Sequence, residues 1–165
     1  MVEQLVTAER LAAGLRYVEA LAALGFRPDA ALWSIGVDPN EDQRVQLSLV
    51  SSLVERVGPK KIYDLLFQAY DHAGTPANFD PWIVGLYGAD TTFGEAMRHE
   101  PIFEFGAATI KSEDGQEQSI EAMEIVGNRM FYKGWIYVRR FQKRDVASEL
   151  RLVEKFKKNV DRLAA

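Results

Sequence analysis

The chain has 165 residues, 47% hydrophobic and 27% charged, a formal net charge of −4 and no cysteine. That length suits one domain able to bury about two-thirds of the surface its unfolded chain exposes, and its apolar content is enough to offset chain entropy, so disorder throughout is excluded. The absence of cysteine excludes disulfides, a thiolate nucleophile and any Cys-ligated zinc or iron–sulfur site.

A helix is expected over residues 3–24. Leu5, Ala8, Leu11, Ala12, Leu15, Val18 and Ala22 recur at three- and four-residue steps, and Thr7 is placed to cap a shorter version. Gly25 and Pro28 end it. The apolar run 31–37 suits a strand, and 38–42 is a polar turn. Residues 44–57 carry two patterns at once. Val45, Leu47 and Leu49 alternate as a strand does, while Leu47, Val50, Leu53, Val54 and Val57 step as a helix does, with Asn40 and Gln43 in capping-box spacing. The pair Ser51-Ser52 and the break at Gly58 favour a strand over 44–51, joined to 31–37 as a hairpin.

Gly58-Pro59 opens a second helix, with Pro preset for the first helical position and Ile62, Leu65, Leu66, Ala69 and Ala73 as its stripe. Gly74 and Pro76 end it. Residues 82–87 read as a buried strand, followed by a short helix over 91–99 capped by Asp90 or Thr91. A meander is expected next: 103–112, the turn signal Asp114-Gly115, 119–126, the turn Gly127-Asn128, and 130–141 with a break at Gly134. The last helix, 145–163, has Asp145 as cap and the stripe Val146, Leu150, Val153, Phe156, Val160 and Leu163.

No linker, repeat or low-complexity tract divides the chain, so residues 1–165 read as a single α+β domain. The order α-β-β-α-β-α-β-β-β-α suits a mostly antiparallel sheet of five or six strands with helices packed on one face. The run Ala31-Leu32-Trp33, an apolar second strand, Gly58-Pro59 with Tyr63 four residues on, and Trp135-Ile136-Tyr137-Val138-Arg139 near the end resemble a group of uncharacterised bacterial proteins over about half the chain. That resemblance favours the hairpin reading of residues 31–51 and implies no activity.

No stretch approaches the roughly 18 apolar residues of a membrane span, so no membrane partner is expected. The first ten residues lack the basic-then-apolar order of a signal peptide, which makes cytoplasm the simplest compartment.

Metal-binding patterns are incomplete in this chain. Asp38, Asn40 and Asp42 match the opening of an EF-hand loop, but Gln43 stands where glycine is needed and Leu49 where a bidentate glutamate is needed. His72 and His99 lie in no paired ligand spacing. No metal and no cofactor is therefore expected. Ser48, Ser51 and Ser52 sit near a strand end with no histidine tied to them, and no nucleophile-elbow or S-x-x-K motif is present. No catalytic residue is assigned, and an enzyme is the less favoured reading. Gly85 and Gly88 follow a strand and precede a short helix, the context of an anion site, without a phosphate-loop spacing. Close backbone packing is the favoured explanation for them. The junction residues Gly88, Asp90, Thr91 and Thr92 are the candidate small-ligand site, because ligands favour the ends of such strands. The acidic group Glu113, Asp114, Glu117, Glu121 and Glu124 reads as a solvated hairpin.

Charge is unevenly distributed. Residues 1–132 carry 20 acidic and 10 basic side chains, whereas residues 133–165 carry 4 and 10. Lys133, Arg139, Arg140, Lys143 and Arg144 are the candidate surface for nucleic acid or another partner, with Trp135, Tyr137 and Phe141 available for stacking if the segment is one strand. The plainer reading makes those aromatics core, with arginine stems over them and the basic end beside the acidic body. Three functions follow from these readings. The favoured one is a non-enzymatic protein-interaction module that forms a homo-oligomer. The alternatives are nucleic-acid binding through the basic end, and a small-ligand binder or enzyme at the 85–95 junction.

Overall fold

The computed structural model describes residues 6–38, 44–99, 108–111, 117–120 and 123–165. At its centre is β1 (Ala30–Gly36), in which every residue is buried. It pairs antiparallel with β2 (Gln46–Val50), from Ala30 opposite Val50 to Ser34 opposite Gln46. Its other edge is shared by two short strands: β8 (Ile136–Arg139) takes Ala30 to Leu32, and β7 (Arg129–Phe131) takes Ile35 and Gly36. On the far side of β2 lies β3 (Val84–Tyr87), the parallel member, and beyond β7 lies β6 (Glu124–Val126). A separate hairpin pairs β4 (Ala108–Lys111) with β5 (Glu117–Ile120). The expected class is what the fold shows: α+β, with a mostly antiparallel six-stranded sheet and helices packed on it.

The ambiguous segment uses both of its patterns in turn. β2 ends at Val50, Ser51 accepts the Leu53 N–H at 3.2 Å, and a short helix α2 (Ser52–Val57) begins there. Gly58, at φ +84°, separates it from α3 (Pro59–Asp71), which buries Ile62, Leu65, Leu66 and Ala69 as its spacing predicts. The expected third strand of the meander divides at a 3-10 turn over Lys133–Trp135, so Trp135 lies outside β8. The Asp38–Asp42 turn beyond Asp38, most of the 103–112 strand, and Glu113, Asp114 and Glu121 lie outside the described residues.

Two helices keep their expected caps but turn a different face inward. Thr7 accepts the Arg10 N–H at 3.1 Å and starts α1 (Ala8–Ala23), later than the apolar spacing implied. The buried ridge of α1 is Gly14, Tyr17 and Leu21, while Leu15 is 45% exposed. Tyr17 selects that face by stacking on Phe79, ring centroids 4.2 Å apart. Gly14 permits it, because a Cβ there would stand 2.3 Å from the Tyr137 hydroxyl. That hydroxyl accepts the Trp33 Nε1–H at 2.7 Å and donates to the Leu11 carbonyl at 2.6 Å, joining β1, β8 and α1. In α5 (Val146–Leu163), Asp145 caps by accepting the Ser148 N–H at 2.7 Å. Val153, Phe156 and Val160 are buried as expected, but Glu149 points inward and Val146 and Leu150 outward.

Tyr137→Phe leaves the fully buried Trp33 ring with an unpaired N–H. The expected loss is about 1–3 kcal/mol, the cost of a buried orphan donor. Urea denaturation should show a lower midpoint at unchanged slope. Tyr70→Phe is the control: its hydroxyl donates to the Ala77 carbonyl at an exposed site, and its removal should cost about 0.5 kcal/mol or less.

Candidate functional site

The sheet and helices bring distant segments together at the C-terminal end of β3. There β3 passes through Gly88, Ala89 and Asp90 into α4 (Thr92–His99). Thr91 is the cap of α4: its hydroxyl accepts the Gly94 N–H at 3.0 Å and donates to the Gly88 carbonyl at 2.7 Å. A Cβ on Gly94 would lie 2.1 Å from the Gly88 carbonyl oxygen, so glycine is what lets the helix fold back onto the strand end. Close backbone packing is thus what the geometry shows at Gly94, whereas the nearest neighbours of Gly85 and Gly88 are the side chains of Gln46, Asp90 and Glu55.

The result is a cleft of about 350 Å³. Ser52 and Glu55 of α2 line it together with Ala89 and Asp90 of the junction. Glu95 and Arg98 of α4, the loop residues Gln142, Lys143 and Arg144, and Glu149 of α5 complete the wall. Two of its acids are held by main chain or by cations. Glu55 accepts the Asp90 N–H at 2.7 Å, and its pKa lies above the ordinary value because burial disfavours the charge, with the neighbouring Asp90 carboxylate adding to the effect. Glu149 is 5% exposed; its Oε1 lies 3.6 Å from Arg56 Nη2, and its Oε2 has no hydrogen-bond partner.

Beside the cleft is Asp29, 2% exposed. Its N–H donates to the Val50 carbonyl at 2.8 Å and its carbonyl accepts the Arg140 N–H at 2.6 Å. Its Oδ2 accepts the Ser52 N–H at 3.2 Å, and its Oδ1 lies 3.7 Å from Arg144 Nη2. Burial raises the Asp29 pKa and outweighs the Ser52 N–H, the Arg144 charge and the Gln142 N–H, all of which lower it. One buried carboxylate thus ties the start of β1 to the start of α2 and to the basic loop.

The two candidate sites of the sequence therefore meet in part. Asp90, Lys143 and Arg144 line the cleft, while Gly88 and Thr91 lie outside its lining and fix the turn into α4. Thr92 is exposed and outside the lining. Arg139 donates from Nε to the Met97 carbonyl at 2.7 Å, and burial lowers its pKa. The Arg140 and Lys133 side chains are exposed elsewhere on the surface. Trp135 is 5% exposed and Tyr137 is engaged with Trp33, so these aromatics serve the core. The sequence patterns assign none of Asp29, Glu55, Arg98 and Glu149 to this site, and single out Ser52 only as a possible nucleophile. For Glu149 a signal existed, since stepping back four residues from Val153 lands on it. Asp29 lies in no pattern.

The serines considered as nucleophiles have other duties. Ser48 is buried with its Oγ 2.7 Å from Ser34 Oγ, Ser51 caps α2, and Ser52 Oγ accepts from Arg144 at 3.5 Å. His99 is exposed at the end of α4, 3.7 Å from Glu95. Among the described residues no three histidines or carboxylates are placed to hold a metal ion, and no helix is long and apolar enough to cross a membrane.

A second surface lies at the other end of β3. Pro59, Lys60, Tyr63, Asp64 and Phe67 of α3 and Trp82 and Val84 line a groove of about 720 Å³. Trp82 is 80% exposed on a 3-10 turn (Pro81–Ile83), its ring 4.9 Å from Phe67. Tyr63 seals the strand beside it, accepting the Leu86 N–H at 3.2 Å and donating to the Val84 carbonyl at 2.8 Å.

Compared with known proteins, the chain matches no family model, no curated protein and no solved structure.

The raised pKa of Asp29 has a consequence for stability. The folded chain holds that proton to a higher pH than the unfolded chain, so between the two pKa values the folded state binds more protons. Its contribution is present at low pH and is lost as pH rises through the folded value. Asp29→Asn removes the titration. In urea denaturation at stepped pH, the stability difference should move in favour of the wild type as pH falls toward the ordinary carboxylate range. A constant difference, or one moving the other way, contradicts the assignment.

Proposed function

We propose that this chain is a protein-interaction module that associates with a second copy of itself through the Trp82 groove. The observation that carries the reading is Trp82, a large aromatic 80% exposed at the rim of an apolar groove. Exposed tryptophan beside apolar concavity is the composition of an interface centre, where a few aromatic anchors supply most of the affinity.

A two-fold interface needs a surface that complements itself. This one supplies both a projection, Trp82, and a recess, lined by Pro59, Tyr63, Phe67 and Val84. It also supplies both signs of charge. Lys60 and Asp64 sit one turn apart on the outer face of α3, paired at 3.0 Å and well exposed. Antiparallel apposition of α3 with its copy sets each lysine against the other chain's aspartate. Because Tyr63 already occupies the Leu86 N–H and the Val84 carbonyl on the outer edge of β3, the association works through side chains rather than by strand addition.

Sedimentation equilibrium at micromolar concentration tests the reading. The wild type should sediment as a dimer. Trp82→Ala should weaken association roughly 30-fold or more, given a hot-spot cost of about 2 kcal/mol or greater. Lys60→Glu should weaken it as well, and adding Asp64→Lys should restore it. A strict monomer for the wild type, or a dimer indifferent to Trp82→Ala, overturns the proposal.

A further inference from the structure

We infer that the cleft between α2, α4 and the loop before α5 binds a small zwitterion, a molecule with an ammonium group at one end and a carboxylate or phosphate at the other. The volume, about 350 Å³, matches a compact metabolite rather than a macromolecular segment. The class of ligand follows from which charges in the wall are already committed and which are not.

Among the cations, Arg144 is held by Asp29 and Ser52, and Arg56, just behind the wall, by Glu149. Arg98 and Lys143 enter none of the hydrogen bonds or ion pairs among the described residues, yet they reach the same cleft from two different elements. Two uncommitted cations facing one cavity make an anion site of the kind that takes a carboxylate or phosphate. Among the anions, Glu149 is 95% withdrawn from solvent, with Oε2 unpartnered. A buried carboxylate oxygen without a donor is costly, and a cationic N–H donor is the partner that relieves it. Asp90 and Glu55 extend the same acidic side. A ligand with one charge would leave either the cations or the carboxylates unmatched; a zwitterion satisfies both.

The site is also built from supported side chains. Asp29 orders the loop that carries Lys143 and Arg144 by accepting the Arg140 N–H and pairing with Arg144, while Thr91 and Gly94 set the start of α4. These contacts hold the walls in place before a ligand arrives, which lowers the ordering cost of binding.

The test is a titration of the isotope-labelled full chain followed by amide NMR. Two zwitterions, phosphoethanolamine and β-alanine, are compared with ethanolamine and inorganic phosphate, each bearing one of the two charges. At low millimolar concentration either zwitterion should shift resonances of residues 52–55, 89–98 and 142–149, and each single-charge control should bind at least tenfold more weakly. Phosphoethanolamine binding without β-alanine would make the anion a phosphate; the reverse would make it a carboxylate. Lys143→Ala, an exposed loop change that leaves the fold intact, should weaken binding about tenfold or more, and Glu149→Gln should act on the same probe. Equal binding of inorganic phosphate, absence of shifts with both zwitterions, or affinity unchanged in Lys143→Ala would overturn the proposal.

Discussion

The structure depends on β1 being enclosed on both faces and both edges. A strand in that position must satisfy every backbone N–H and C=O through its neighbours, because water does not reach them. One partner, β2, follows directly in the chain. The others, β7 and β8, arrive about a hundred residues later and divide the remaining edge between them. The division is possible because the chain turns through a 3-10 segment at Lys133–Trp135, which carries it from one half of β1 to the other. Trp33 reinforces the enclosure from within, its ring fully buried and its N–H taken by Tyr137 of β8.

The ends of β1 differ in character, and this places the cleft. Toward its C-terminal half, polar groups bridge neighbouring strands: Ser34 meets Ser48, and Arg129 donates to Ser34 at 2.5 Å from β7. Just before its N-terminal end, Asp29 gathers β2, α2 and the loop before α5. Removing one partner of such a buried group costs more than the pair contributes, so these contacts specify an arrangement more than they add stability. Two ion pairs also join the acidic body to the basic end, one in each direction. Arg144 of the basic end pairs with Asp29 of the acidic body, and Arg56 of the body pairs with Glu149 of the basic end. The two halves exchange charges across the interior edge.

The proposed interfaces sit at opposite ends of β3 and obey different physics. At its start, an exposed tryptophan and aromatic walls favour loss of apolar surface from water. At its end, committed and uncommitted charges sort by sign, and specificity comes from matching both. Tyr63 separates them by occupying the Leu86 N–H and the Val84 carbonyl on the outer edge of the strand, which interrupts the ladder there.

Local signals in the sequence determined the elements. Pro59 after Gly58 starts α3, Thr7 and Asp145 cap their helices, Gly134 marks the break before β8, and the dual periodicity of 44–57 becomes a strand followed by a helix. These depend on backbone sterics and on side chains three or four residues away, which are present in any short stretch of chain. Tertiary structure decided the rest. The face that α1 buries was settled by Tyr17 finding Phe79 and by the space that Gly14 leaves for Tyr137, both far off in sequence. The inward turn of Glu149 required Arg56, and the burial of Asp29 required Ser52 and Arg144. Periodicity locates an apolar stripe only to within a residue or so, and a polar group goes inside only when a distant partner arrives to meet it. That is why the junction at 88–91 and the basic loop at 143–144 were each visible along the chain, while their meeting in one cleft was not.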